Sequence, residues 1–409
     1  MKTVQMYVWN TFENDARVMR ECTALSEKGY YVHLICLMDE AEKLKKIEYP
    51  TTYFTVRRLK RGNLKKTLLN LYFIFLLFLC IGYFKLAGTI LLMNLLFHNK
   101  KCWAVVNKVY LIMKMTFVNI LKTSDIYHAN DINTLPQTII NAKLFHRKKI
   151  IYDSHEIQIS RTGYNSTVYY FLEKYLLKYV DIYIHENDTR AHFIEKVYGI
   201  KPKVIHNYPV YYDVNHISKV NLHELLSIDV NEPILLYQGG IQQDRGLENL
   251  IQAVSLLDQG ILVLIGDGRL KQELFTLVKK LNLTDRVKFL DKVYMESLKC
   301  YTVSATIGLQ VLQNTCMNHY LASSNKLFEY IMAEVPIVAC GFPEISKVIE
   351  TWDVGEIVDS HNVQSIRLGI EKLLNNNERH QTCKLNCRNA KMFYNWEQEK
   401  NKFLKLYVN

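Results

Sequence analysis

The chain has 409 residues, enough for two domains of ordinary size and too many for a single core. Hydrophobic residues make up 49% and charged residues 22%, with only 7 prolines, which excludes a disordered or fibrous chain. The formal charge of +11 would suit a nucleic-acid binder if it were spread out, but positions 57–124 hold twelve Lys and Arg and no Asp or Glu. That leaves 39 basic against 40 acidic residues elsewhere.

Nine cysteines lie scattered with no Cys-x-x-Cys pair, the usage of a reducing cytosol without a structural metal. The opening MKTVQMYVW lacks the charged, apolar and cleavage regions of a secretory signal and starts like a strand. Short β-branched runs then alternate with helical stretches, the pattern of parallel sheets covered on both faces. Predicted strands fall at 3–9, 32–37, 53–56, 125–129, 149–152, 181–185 and 203–206, with helices such as 15–28, 136–145 and 167–179 between them. A second series follows at 234–238, 261–266, 287–290, 305–309, 337–339 and 355–358, with helices beginning at Leu247, Leu270, Lys326, Val363 and Glu378. The fold expected is α/β, with two Rossmann-like doubly wound domains. These occupy 1–208 and 233–390, joined by a polar linker at 209–232 and followed by an amphipathic tail, 391–409, expected to pack back on the first domain.

Positions 57–124 interrupt the first series. Six Lys and Arg in 57–66 precede an apolar run, 68–84, broken only by Asn70. As a helix that run spans about 25 Å, short of a hydrocarbon core of about 30 Å. One crossing would also put strands of one sheet on opposite sides of a membrane. A second span is not at hand: 86–97 is too short, and 103–121 contains Lys108 and Lys114. The last stretch instead reads as an amphipathic helix with Cys102, Val106, Val109, Met113, Phe117 and Ile120 on one face and Lys101, Asn107, Lys108 and Lys114 on another. The expectation is a monotopic, membrane-associating helical insertion docked on the anionic cytoplasmic leaflet; the alternative is a pair of buried helices capping the first domain.

Two stretches of the second half point to an anionic ligand. In LLYQGGIQQDRGLENLIQAV a buried strand leads to Gly239 and Gly240, then to Arg245 and Gly246 at a helix start, where free N–H groups and a guanidinium favour a phosphate. In NHYLASSNKLFEYIM, Ser323 or Ser324 is the expected N-cap, Asn325 and Lys326 occupy the first helical turn and Glu329 the second. A diphosphate beside the lysine and a ribose diol on the carboxylate would fit that order. The plain alternatives are a tight turn and an ordinary capped helix. In the first half, His155 follows a predicted buried strand, where open α/β sheets bind ligands, Asp131 and Asn133 precede Pro136 as either turn or site residues, and Glu186 follows another strand.

Together these segments resemble the retaining glycosyltransferases of the GT-B fold, family 4. The residues that carry the resemblance are NKLFEYIMAEVPIVACGFPE, YQGGIQQDRGLENLIQAV and LIGDG in the second half. In the first they are FENDARVMRECTALSEKGYYV, HANDINTLP, YDSHE, IHEND and VIHNYP. The resemblance implies two domains facing across a cleft. It implies that Glu329 holds the ribose, that Arg245 and Lys326 neutralise the leaving diphosphate, and that Gly239, Gly240, Gly266 and Asn325 line the donor. It places His155 beside the transferred sugar, Asp131 and Glu156 near the acceptor hydroxyl, and Asp15, Glu186 and Asn207 on the acceptor side. The implied substrate is a UDP-linked sugar, with no cofactor and, there being no Asp-x-Asp, no metal. The implied acceptor is a hydroxyl of a lipid-linked saccharide. Leu321 stands where the family has the first glutamate of a pair, Gly240, Ile241 and Gln242 replace its usual arginine loop, and Arg245 stands where lysine is commoner. A nucleotide-sugar 2-epimerase of the same fold, or a non-catalytic membrane-bound partner that kept it, are the rival readings.

Overall fold

The structure is a computed structural model that describes residues 1–39, 44–62, 100–161 and 166–408. Eight strands form the first sheet: β1 (Thr3–Tyr7), β2 (Tyr31–Met38), β3 (Ile47–Thr51), β4 (Phe54–Lys60), β5 (Ile126–Asn130), β6 (Lys149–Ser154), β7 (Ile182–His185) and β8 (Lys203–Val204). Their order is β3-β4-β2-β1-β5-β6-β7-β8. Pairs from β4 to β6 are parallel, as is β7 with β8, while β3 runs antiparallel to β4.

The second sheet holds β9 (Ile234–Gln238), β10 (Ile261–Ile265), β11 (Val287–Leu290), β12 (Ile307–Gln310), β13 (Ile337–Cys340) and β14 (Gly355–Val358) in the order β11-β10-β9-β12-β13-β14, all parallel. Most of its strand residues are buried and apolar because both faces are covered, with Gln238, Lys288, Gln310 and Glu356 as the polar exceptions. In β9, Ile234 and Leu236 enter one core and Leu235 and Tyr237 the other; in β10, Val263 and Ile265 oppose Leu262 and Leu264 in the same way. The chain divides into two compact units, Met1–Ser154 with Leu172–Tyr183, and His155–Phe171 with Ile184–Asn409.

Two expectations for the first series change. The antiparallel β3, IEYPT, carries no buried apolar run and gives no sequence signal. Residues 57–60, read from sequence as the start of the insertion, complete β4. Arg58 is buried there, donating to Thr11 O (3.1 Å), Lys45 O (3.1 Å) and the Glu48 carboxylate (2.7 Å), so part of the basic run is internal structure. The apolar run 68–84 lies outside the described residues. Beyond it the helix Lys100–Phe117 buries Leu111 and Met115 and leaves Val105, Val106, Val109, Met113 and Phe117 exposed. No helix among the described residues is long and apolar enough to cross a membrane. β4 and β5 belong to one sheet.

Candidate functional site

The second unit assembles a cationic site at the carboxyl ends of β9 and β10. β9 ends at Gln238, and the chain turns through Gly239, whose φ is +130°. A Cβ on Gly239 would lie 2.8 Å from Lys326 Cε, so only glycine lets the lysine stem cross the loop. Gly266, at φ +153°, packs against this turn, where a Cβ would meet Gly239 O at 1.9 Å. The N–H groups of Gly239 and Ile241 donate to Ile265 O and Asp267 O (both 2.9 Å). Of the two amides expected to face a ligand, Gly239 is therefore engaged by the sheet, and the Gly240 amide has no backbone acceptor among the described residues.

Lys326 sits in the first turn of the helix Asn325–Met332. Its ammonium lies over the Tyr237 ring, 5.2 Å from the centroid. Burial, with the Arg245 charge added, lowers its pKa to about 8, while Glu329 opposes the shift. Arg245 itself makes no ion pair or hydrogen bond among the described residues. Lys326 and Arg245 thus place two mutually repelling cations together, with Glu329 as the carboxylate that acts on Lys326.

The N-terminus of the same helix differs from expectation. Ser324 occupies the N-cap position, but at φ +53° its hydroxyl makes no capping bond; Leu327 N donates to Ser324 O (3.2 Å), and the Asn325 and Lys326 amides lack a side-chain cap. Asn325 Oδ1 accepts from Asn207 Nδ2 (2.9 Å), which places Asn207 beside this helix end. Glu329, one turn in, accepts from Gln238 Nε2 (2.6 Å), and Gln238 is oriented in turn by the Thr302 hydroxyl (2.8 Å). Sequence reasoning missed Gln238, Thr302 and Tyr237; all three look like ordinary strand or helix residues, and only the fold shows what they touch.

His319, in the short helix Met317–Tyr320, has its pKa lowered by burial and then by Arg245. Its Nδ1 lies 3.2 Å from both Gln313 O and Thr315 Oγ1. Leu321 is buried and presents no polar group.

Other candidates take clear positions. Within the second unit, His155 and Glu156 are half-buried after β6, and Glu156 pairs with Arg161 (3.0 Å). Glu186 is committed to Arg190 (2.6 Å). In the first unit Asp15 caps the helix Ala16–Glu27 through Val18 N and accepts from Asn10 Nδ2 (2.8 Å). Asp131 adopts φ +63°, with its N–H on Asp153 O (2.9 Å) and its carbonyl accepting from Thr134 N (3.1 Å), so it forms the turn after β5. Glu21, His128 and Asp153 bring ligand-type atoms within 4.8 Å of one another. The cation already seated there is Arg17, whose guanidinium grips both Asp153 oxygens (2.6 and 3.0 Å) and reaches Glu21 (3.2 Å).

Fold and site thus define an α/β chain with two largely parallel sheets and a cluster of cationic side chains at the carboxyl ends of strands in the second. Residues 219–390, less than half of the chain, match the family model "Glycosyl transferases group 1". A curated relative is the N-acetylgalactosamine-N,N'-diacetylbacillosaminyl-diphospho-undecaprenol 4-alpha-N-acetylgalactosaminyltransferase of Campylobacter jejuni, 25% identical over 148 residues. That alignment spans 35% of this chain and 40% of the relative. Among solved structures, sucrose-phosphate synthase from Thermosynechococcus elongatus superposes with a TM-score of 0.76 at 16% identity, covering 100% of this chain and 98% of the other. Anabaena HepE in complex with UDP gives 0.68 at 15% identity, covering 100% and 99%. These likenesses show the fold, which matches that of GT-B glycosyltransferases.

Proposed function

We propose that the protein is a retaining glycosyltransferase that moves a sugar from a UDP-linked donor to a hydroxyl of a lipid-linked saccharide, without a metal, at the cytoplasmic face of the membrane. The observation that carries this reading is the convergence of Arg245 and Lys326 on the uncapped start of the helix Asn325–Met332, with the Glu329 carboxylate one turn away. Breaking a glycosyl phosphate builds negative charge on the departing diphosphate. Cations already held in place lower that barrier by about 2 to 4 kcal/mol each and do the work a divalent ion would otherwise do. Glu329 then takes the ribose diol. His155 stands beside the sugar, with Asp131, Glu156, Asp15, Glu186 and Asn207 as the acceptor-side set, of which Glu186 works through its ion pair.

The match of 219–390 to a glycosyltransferase model and the lipid-linked substrate in the relative's name support the class and the acceptor. The exposed apolar face of Lys100–Phe117, within the basic segment, supports docking on an anionic surface. The test is UDP release from a panel of UDP-sugars by purified protein, with membrane extract as acceptor. Release that needs the extract, and is lost in Arg245→Ala and Glu329→Ala, is expected. No release from any nucleotide sugar would sink the transferase, and release of an altered free sugar without acceptor would establish the epimerase instead.

A further inference from the structure

One arginine outside every motif singled out in the sequence joins the loop of His155 to the segment that leads into the donor helix. Arg190 lies in the first turn of the helix Asp188–Tyr198, and its side chain is only 5% exposed. Its Nη1 donates to the carbonyl of His155 (2.8 Å) and to Glu186 (2.6 Å), and its Nη2 donates to the carbonyl of Asn318 (2.7 Å). A planar guanidinium can satisfy acceptors in these separate directions at once, and an ammonium cannot hold the same fork.

A second set of bonds repeats the connection. Asn318 accepts from Ile157 N (2.6 Å) and donates to Ile157 O (3.0 Å), and Met317 N donates to Ser160 Oγ (3.0 Å). Asn187, which caps the Arg190 helix, donates to Leu321 O (2.9 Å). At Asn318 and Leu321, the segment that carries Leu321 in place of a carboxylate is therefore gripped through its backbone. A bland reading, an i,i+4 pair between Glu186 and Arg190 on a helix surface, accounts for one of these bonds and leaves the two backbone carbonyls unexplained.

We propose that Arg190 is the positioning residue of this site: it fixes the direction of the His155 peptide against the 316–321 segment, and so the placement of the His155 side chain relative to the donor. The inference rests on the transferase reading for its kinetic consequence, but not for the clamp itself. A misplacement of about 1 Å at a reacting centre lowers turnover about a hundredfold. Arg190→Lys keeps the charge and loses the fork; Asn318→Ala removes the second connection and leaves Arg190.

The experiment measures kcat, donor KM, UDP affinity, thermal midpoint and amide hydrogen exchange over 155–161 in wild type, both single variants and the double variant. In Arg190→Lys we expect kcat to fall about a hundredfold, donor KM and UDP affinity to stay within about threefold, and exchange over 155–161 to rise at least about tenfold. The double variant should lose less than the product of the single losses, as for two parts of one device. Unchanged exchange and kcat in Arg190→Lys would overturn the proposal. So would a fall in UDP affinity and thermal midpoint that accounts for the whole activity loss, since that is ordinary structural damage. If the wild type turns over no nucleotide sugar, the transferase reading fails, and the exchange data still decide whether Arg190 holds the 155–161 loop.

Discussion

Lys326 is the residue whose chemistry can be read most directly in solution. Its pKa of about 8, pushed down by burial and by Arg245, means that the ligand-free protein holds it charged only below that pH. The unfolded chain keeps its proton up to about 10.4, so between about pH 8 and 10 the unfolded state binds more protons and stability rises with pH. Ligand binding runs the other way. A diphosphate restores the proton, so UDP affinity should fall by up to about tenfold per pH unit above pH 8. Calorimetric titration across pH 7–10 checks this, and Lys326→Met should bind weakly with no such slope. Gly239→Ala is expected to weaken UDP binding in the same assay, because its Cβ displaces the lysine stem. At Arg17 the expectation concerns stability: removing the cation from between Asp153 and Glu21, both fully buried, should cost about 3 to 5 kcal/mol in Arg17→Met, read by denaturant unfolding.

At the scale of elements, a buried carboxylate ties the carboxy-terminal helix Trp396–Lys405 to His206. Glu399 accepts from His206 N (3.1 Å), lies 3.4 Å from His206 Nδ1 and pairs with Lys402 (2.6 Å). Burial alone would raise its pKa, but His206 and Lys402 outweigh that and bring it down to about 2. A depressed carboxylate contributes stability above its unfolded pKa and loses it on acidification, here between about pH 4.5 and pH 2. At 1.36 kcal/mol per pKa unit the contribution is on the order of 3 kcal/mol at neutral pH. Glu399→Gln should therefore unfold more easily at pH 7 and show a flatter acid profile. The sequence showed this helix as an amphipathic tail through Trp396 and Phe403, both now buried, but not the carboxylate that anchors it. Elements were legible where apolar and β-branched residues cluster: β9, β11 and β14 start and stop at the bounds expected from sequence, although Lys288 and Glu356 interrupt the last two. They were illegible where side chains make the structure. β3 has no apolar run, and β4 continues past Val56 because Arg58 is satisfied by two carbonyls and Glu48 rather than by water. The site follows the same rule. Gly239, Lys326 and Glu329 announce themselves by spacing, whereas Gln238, Thr302 and Arg190 act through distant partners, 35 to 128 residues away.

Over the whole molecule, charge and apolar exposure divide the labour. Outside 57–124 acidic and basic residues balance, so the chain's net positive charge resides in that segment, and under the proposed function any attraction to an anionic surface would come from it. Val109→Glu with Phe117→Glu puts two carboxylates on the exposed face of Lys100–Phe117. This variant should bind phosphatidylserine-containing vesicles at least about tenfold more weakly while keeping UDP affinity. Sedimentation with vesicles checks it, and undiminished binding would place the docking surface elsewhere.

The same sheet order has a consequence in time. β1 pairs on one side with β2 and on the other with β5, through registers such as Val4 with Ile126. At about 5 to 20 residues per second, the ribosome takes several seconds to go from the end of β4 to the start of β5. Throughout that interval β1 has one open edge, and the apolar run 68–84 is synthesised during it. The order of synthesis thus brings residues 61–99 off the ribosome before β5 can complete the pairing of β1.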